Sequence, residues 1–223
     1  MQHKSIGIAY TYSEPTIWFE TIIEVGNAIK NAGLKNVMIS NGYINPQPLA
    51  ELSTIIDAWN IDIKSIRPQF YRRHCKARLE PVLKACEQVK KNGHLEITNL
   101  LIPGLNDTEQ EIADLTAFIA ANLGPDTPLH FSRYTPRYKL SIPATTQKTV
   151  LNACAIAREH LWYVYAGNIS ASPYDNTHCP NCKTLLVTRQ NHSITIHNRI
   201  EPGQKQSKFL TCKTCSFITS III

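Results

Sequence analysis

The sequence predicts an α/β fold: a partial (β/α) barrel of alternating strands and helices, followed by a small antiparallel ribbon. Three observations predict it. From Ile6 to Val164 the hydrophobic period switches repeatedly between that of a strand and that of a helix. Polar residues recur on one face of those strands, where a sheet covered on both sides would be apolar. Four of the seven cysteines then fall in two CxxC pairs, Cys179/Cys182 and Cys212/Cys215, with 29 residues between them.

Each element has its own signal. Ile6-Gly-Ile-Ala-Tyr-Thr-Tyr12 reads as a strand, with a helix over Thr16–Ala32 that ends before Gly33. Asn36-Val-Met-Ile-Ser40 is the second strand, followed by a helix from Pro48 to Ala58. Asn60-Ile-Asp-Ile-Lys64 is the third, followed by a helix across Leu79–Lys91 that stops at Gly93. Leu95–Leu101 is the fourth, and the next helix opens with a capping box, Thr108 to Glu111, and runs to Leu123 before Gly124-Pro125. Leu129–Tyr134 is the fifth strand, a last helix spans Thr146–His160, and Val164-Tyr165 is a candidate for a further short strand. Strands alternating with helices in this way argue a parallel sheet or barrel wrapped by helices.

The stretch Ala166–His178, with its Gly, Pro, Ser and Asn, reads as a linker. It divides the chain into a barrel over residues 1–168 and a ribbon over 175–223. Two short knuckles of two thiolates each are what a tetrahedral zinc site requires, so Cys179, Cys182, Cys212 and Cys215 are the candidate Zn²⁺ ligands. Leu185–Arg189, Ser193–His197 and Lys208–Thr211 alternate as the ribbon's strands. The closing Phe217–Ile223 either packs on the ribbon or presents an edge. Two disulfides or two redox dithiols are the competing reading, which a reducing compartment disfavours. Of the other cysteines, Cys86 and Cys154 sit on apolar helical faces as core residues, and Cys75 is a loop thiol with no partner at metal spacing.

The formal charge of +6 is uneven. Lys183, Arg189, Arg199, Lys205, Lys208 and Lys213 stand against Glu201 alone after Cys179, so the basic ribbon is a candidate nucleic-acid surface. A zinc ion with four thiolates carries −2, and part of the basic excess serves to neutralise it. No apolar run approaches the ~20 residues of a membrane helix. The start leads into a strand and not into an apolar leader. The expectation is a soluble cytoplasmic protein without a membrane partner.

On the strands, Asp62 and Lys64 share a face, as do Glu96 and Thr98, and His130 and Ser132. Burying such groups unpaired would cost several kcal/mol each. A barrel whose inner face is a polar cleft for a charged small molecule accommodates them. The competing readings are a structural ion pair for Asp62 and Lys64, a helix start at Glu14-Pro15, and a hydrogen-bonded core histidine at His130.

Thr11-Tyr-Ser-Glu-Pro-Thr16, Ser40-Asn-Gly-Tyr43, Ile61-Asp-Ile-Lys64, Leu101–Asp107, His130–Tyr134, Tyr165–Asn168 and the CxxC pairs occur in one order along the whole chain. Together they resemble the AmmeMemoRadiSam-system radical S-adenosylmethionine (SAM) proteins, relatives of pyruvate formate-lyase activating enzyme. The resemblance implies a TIM-barrel-like partial barrel of six strands. It also implies a CxxxCxxC loop after the first strand that holds a [4Fe–4S] iron–sulfur cluster with one iron open to S-adenosyl-L-methionine. By the same resemblance, Glu14 takes the methionine ammonium, Asn41 and Gly42 line the cofactor, and Asp62 and Lys64 reach its amino-acid end. His130 and Arg133 are the candidate catalytic contacts.

The chain has no CxxxCxxC and lacks the family's first strand. The expectation is therefore the larger part of a split or truncated radical SAM enzyme, inactive alone. A separate polypeptide carrying CxxxCxxC would be its partner, and companion proteins of the same system would take part. The alternative is a non-catalytic zinc-ribbon binding module on a remnant barrel, contacting nucleic acid or a partner protein. A further alternative is an iron-independent α/β barrel enzyme.

Overall fold

A computed structural model describes residues 5–169, 172–190, 193–197 and 209–222. Met1, Arg199, Glu201, Lys205, Lys208 and Ile223 lie outside the described residues.

The strands are β1 (Gly7–Tyr10), β2 (Lys35–Ser40), β3 (Ala58–Asp62), β4 (His94–Leu101), β5 (Leu129–Arg133) and β6 (Val164–Gly167). They form one parallel sheet in the order β1-β2-β3-β4-β5-β6. When consecutive parallel strands lie side by side and every crossover is right-handed, all connecting helices fall on the same face. That face carries α1 (Phe19–Asn31), α2 (Pro46–Leu52), α4 (Leu79–Asn92), α5 (Glu109–Phe118) and α6 (Gln147–Arg158). Beneath them lie Met38, Trp59, Ile61, Leu95, Ile97, Leu129 and Phe131, all buried in the main core. The other face is half-buried and polar: Asn60, Asp62, Glu96, Thr98, His130 and Ser132. β4 shows the division residue by residue, alternating half-buried and buried along its whole length.

Local chemistry accounts for the boundaries. Pro15–Trp18 is a 3₁₀ turn, so the first helix starts at Phe19 and not at Thr16. It stops at Gly33, whose φ of +74° suits glycine. α2 opens on Pro46, two residues before Pro48, and ends at Leu52, where the Ser53 and Thr54 hydroxyls donate to the carbonyls of Leu49 and Glu51. Ala58 is then free to begin β3, which the sequence places two residues later. The Thr108 hydroxyl accepts from the Glu111 amide at 3.2 Å, but the Glu111 carboxylate does not return to complete a capping box. It turns inward and accepts from the Ser65 hydroxyl. α5 passes into a wider turn, Ile119–Leu123. The short α3 (Pro68–Phe70) and the π turn Tyr71–Cys75 have no counterpart in the sequence reading.

The C-terminal module has a three-stranded antiparallel sheet of β7 (Thr177–His178), β8 (Leu185–Gln190) and β9 (Ser193–Ile196). β10 (Phe209–Thr211) pairs antiparallel with β11 (Ile218–Ile222), so the closing apolar segment is a strand of the module. Leu186, Val187 and Leu210 form its core with Cys179 and Cys212. The module sits against the N-terminal ends of the barrel strands. Phe217 meets Trp162 edge-on at 5.5 Å, and the Ser220 hydroxyl donates to the Asp126 carbonyl at 3.4 Å. No helix among the described residues is long and apolar enough to cross a membrane.

Candidate functional site

At the C-terminal end of the strands, Glu14 ties the loop after β1 to the loop after β2. Its Oε1 accepts from the Thr16 amide at 3.2 Å and the Ser40 hydroxyl at 2.8 Å, and its Oε2 accepts from the Asn41 amide at 2.7 Å. The helix-start reading and the site reading therefore meet in one residue. A carboxylate offers about four lone-pair directions, so three donors leave room for one more. Gly42 follows with φ +69°, and a Cβ there would lie 2.7 Å from Ile61 Cγ2, so the loop needs glycine for both backbone and space.

Asp62 and Lys64 stand beside each other at the end of β3, with Lys64 Nζ 2.6 Å from Asp62 Oδ2. The backbone that carries Lys64 is held from several sides. Its amide donates to the Tyr71 hydroxyl at 3.1 Å, and its carbonyl accepts from Asn106 Nδ2 at 2.6 Å. Asn106 also donates to the Leu100 carbonyl and accepts from the Ile102 amide, so this buried side chain latches the ends of two strands together. The sequence places the loop 103–107 at the site; the structure gives its asparagine a scaffolding role there.

Deeper in the lumen, Glu96 lies between two imidazoles, 3.1 Å from His94 Nε2 and 2.7 Å from His130 Nε2. Burial raises the Glu96 pKa, but the hydrogen bonds to His130 and His94 outweigh it and hold the carboxyl well below the usual range. His130 stacks on Tyr165 with ring centroids 5.0 Å apart. The Tyr165 hydroxyl meets Thr177 Oγ1 at 2.7 Å, and the Arg189 guanidinium lies over the Tyr165 ring. His94, Glu96, His130, Tyr165 and Arg189 line a cleft of about 1420 Å³ between the barrel and the C-terminal module. His130 is thus engaged with Glu96 and not with Glu14 or Asp62. Arg133 is one residue out of phase with Ser132, and its Nε donates to the Thr145 carbonyl at 2.8 Å.

The four paired cysteines converge. All four sulfurs lie within 4.8 Å of one another, with Cys179 and Cys215 3.6 Å apart and Cys182 and Cys212 3.5 Å apart. Zinc bound at about 2.3 Å holds sulfurs about 3.8 Å apart at tetrahedral corners. The two knuckles repeat the same turn. The Cys179 amide donates to the Thr184 carbonyl and the Lys183 amide to the Cys179 carbonyl. In the second knuckle, Cys212 pairs with Phe217 and Ser216 with Cys212 in the same pattern. Lys183 and Ser216 both have φ near +60°. Hydrogen bonds from Thr184, its hydroxyl first, lower Cys182 to about 6 and favour its thiolate, whereas burial pushes Cys179 up to about 12, so a metal binding there displaces that proton.

The remaining cysteines do not converge. Cys86 and Cys154 are fully buried in the core, the latter pushed up to about 12 by burial, and Cys75 is exposed. Among the described residues the paired cysteines are the one group of three or more Cys, His, Asp or Glu side chains placed to hold a metal. An iron–sulfur cluster of the three-cysteine type does not fit Cys75, Cys86 and Cys154.

A family model for the radical SAM superfamily matches residues 2–119. The chain belongs to the radical SAM superfamily. That superfamily is one of enzymes whose cofactors are S-adenosylmethionine and an iron–sulfur cluster. The uncharacterized protein MJ0808 of Methanocaldococcus jannaschii is 41% identical over 226 residues, and the chain spans 65% of that relative's length. In fold, this radical SAM barrel resembles a domain of pyruvate-formate lyase-activating enzyme from Bacteroides vulgatus. That likeness has a TM-score of 0.64 at 18% identity and covers 73% of this chain and 99% of that one. A radical SAM methyltransferase from Sphaerobacter thermophilus is similar with a TM-score of 0.61 at 11% identity, over 81% of this chain and 55% of that one.

Proposed function

We propose that this chain supplies the S-adenosylmethionine pocket, the larger part of a radical SAM enzyme. The cluster ligands come from a polypeptide segment carrying CxxxCxxC outside these 223 residues. The observation that carries the reading is the convergence of Glu14 with the Ser40–Gly42 loop at the mouth of a polar lumen. The one acceptor direction left on Glu14 suits the cofactor's ammonium. Lys64 suits its carboxylate, exchanging part of its pairing with Asp62 for the ligand. The cluster, when bound, supplies the electron for reductive cleavage; this chain's own residues bind and orient the cofactor. The module's four cysteines hold Zn²⁺ as a structural site, closed by four protein ligands.

The short Asp62–Lys64 contact favours a second reading, in which the pair is structural and the chain is a binding module on a remnant barrel. Titration calorimetry with S-adenosylmethionine separates the two. The pocket reading expects weak binding, since the chelating iron is absent. Glu14→Gln should weaken it about ten- to a hundredfold, because a hydrogen bond to a charged group is worth about 1.5–3 kcal/mol. No heat of binding, or unchanged affinity in the variant, would favour the module.

A further inference from the structure

The C-terminal rim of the barrel carries exposed cations that form no ion pair among the described residues, although the Glu80 carboxylate lies within electrostatic reach of Arg78. Arg72, Arg73, Lys76, Arg78 and Arg137 are all exposed, and none forms an ion pair or side-chain hydrogen bond among the described residues. The loop over residues 65–78 contains no Asp or Glu, and neither does the loop over 134–146. Three of the rim acids are engaged elsewhere: Glu14 by three donors, Asp62 by Lys64, and Asp107 by the Gly104 amide. The backbone turn that carries Arg72 and Arg73 is anchored. Phe70 and Tyr71 anchor the turn from the buried side, and the Tyr71 hydroxyl is bonded to the Lys64 amide.

On the same end, Tyr12 and Tyr138 are 84% and 93% exposed, and Tyr43 is exposed as well. Large aromatic rings exposed to water beside cations, with Lys139 Nζ over one face of Tyr138 at 5.2 Å, match what single-stranded nucleic acid requires: charges for the phosphates and flat faces for unpaired bases. At the opposite end, two of the three described ribbon cations, Lys183 and Arg189, are partly engaged by the protein itself, and Lys213 is exposed.

We propose that this rim is a docking surface for single-stranded nucleic acid. Arg72, Arg73, Lys76, Arg78 and Arg137 contact phosphates, and Tyr12, Tyr43 and Tyr138 stack with bases. A nucleotide docked there lies over the lumen mouth beside Lys64. Its role as substrate rests on the proposed function, whereas the binding does not, so the two fail separately.

The test is fluorescence anisotropy of the full, zinc-loaded chain without S-adenosylmethionine. The probes are labelled mixed-sequence single strands of 20 nucleotides, RNA and DNA, with a duplex and polyglutamate as competitors. Five phosphate contacts on a single strand predict about a hundredfold loss of affinity between 50 and 200 mM salt. Arg72→Ala with Arg73→Ala should reduce that loss to about twentyfold. Tyr138→Ala should weaken binding about tenfold with the salt slope unchanged. Lys213→Ala, on the ribbon, should change nothing. Binding of either single strand with these dependences supports the surface. It is overturned by no binding at 50 mM salt, by equal competition from polyglutamate or duplex, by an unchanged slope in the double variant, or by a loss that follows Lys213.

Discussion

Gly42→Ala isolates what the site loop demands of its sequence. The residue has φ +69°, which costs an alanine about 1 kcal/mol. The added Cβ would also lie 2.7 Å from Ile61 Cγ2 and 3.3 Å from Val82 Cγ1. Ile61 is fully buried in β3 and Val82 in α4, so neither moves freely, and overpacking of this kind costs about 1–3 kcal/mol. The expected sum is about 2–4 kcal/mol, or a melting temperature lower by about 5–15 °C. Gly33→Ala is the matched control. Its φ is +74° and nothing lies within 4 Å of its Cβ, so it carries the backbone cost alone. Urea denaturation followed by tryptophan fluorescence reads the barrel directly, because Trp59 is buried on the strand that carries Ile61. Equal losses in the two variants, within about 0.5 kcal/mol, would show that the loop after β2 is not packed against β3 and α4 as described.

Glu96→Gln should reveal the carboxylate held between His94 and His130. A depressed folded-state pKa gives stability that is present above the unfolded value of about 4.3 and lost as pH falls through the folded one. The variant should be less stable by about 1–2 kcal/mol at pH 6, a figure reduced for the group's 34% exposure, and should converge with the wild type towards pH 2. A gap that stays constant down to pH 2.5 would remove the ion-pair account. For the knuckles, metal analysis should find one zinc per chain, reduced in Cys212→Ser, and a chelator should unfold the module before the barrel. Full zinc in that variant would refute the four-cysteine site.

Much of the barrel is legible because its strands combine a clear period with one-sided winding. β4 is the best case: His94, Glu96 and Thr98 alternate with Leu95 and Ile97, and both the strand and its two faces follow from parity. Parity also separates His130 from Arg133, three residues apart, and the structure puts the arginine on the Thr145 carbonyl. The paired cysteines are equally plain, since each knuckle closes within six consecutive residues, Cys179–Thr184 and Cys212–Phe217. What stays hidden is long-range partnering. His130 meets Glu96 across 34 positions, and Glu14 meets Asn41 across 27, and nothing local marks either pair. Glu111 shows the opposite failure: its spacing from Thr108 signals a capping box, but Ser65 and Arg67, brought close by the fold, compete for its carboxylate.

The two ends of the lumen solve one electrostatic problem in different ways. One-sided winding leaves a helix-free face, and polar groups on it need partners or water. At the N-terminal end the partners are internal: Glu96 takes two histidines, Tyr165 takes Thr177, and Arg189 from the C-terminal module lies over Tyr165. At the C-terminal end the satisfaction is incomplete. Glu14 keeps an acceptor direction, Lys64 has one carboxylate and two further donors, and Arg72, Arg73, Lys76 and Arg137 form no ion pair among the described residues. Self-sufficient polar groups stabilise the docking of one module on another, whereas groups with capacity left over select a ligand. That asymmetry is what supports the proposed binding of a ligand at the end where Glu14, Asn41, Gly42, Asp62 and Lys64 gather, while His130, held by Glu96, lines the cleft at the other end.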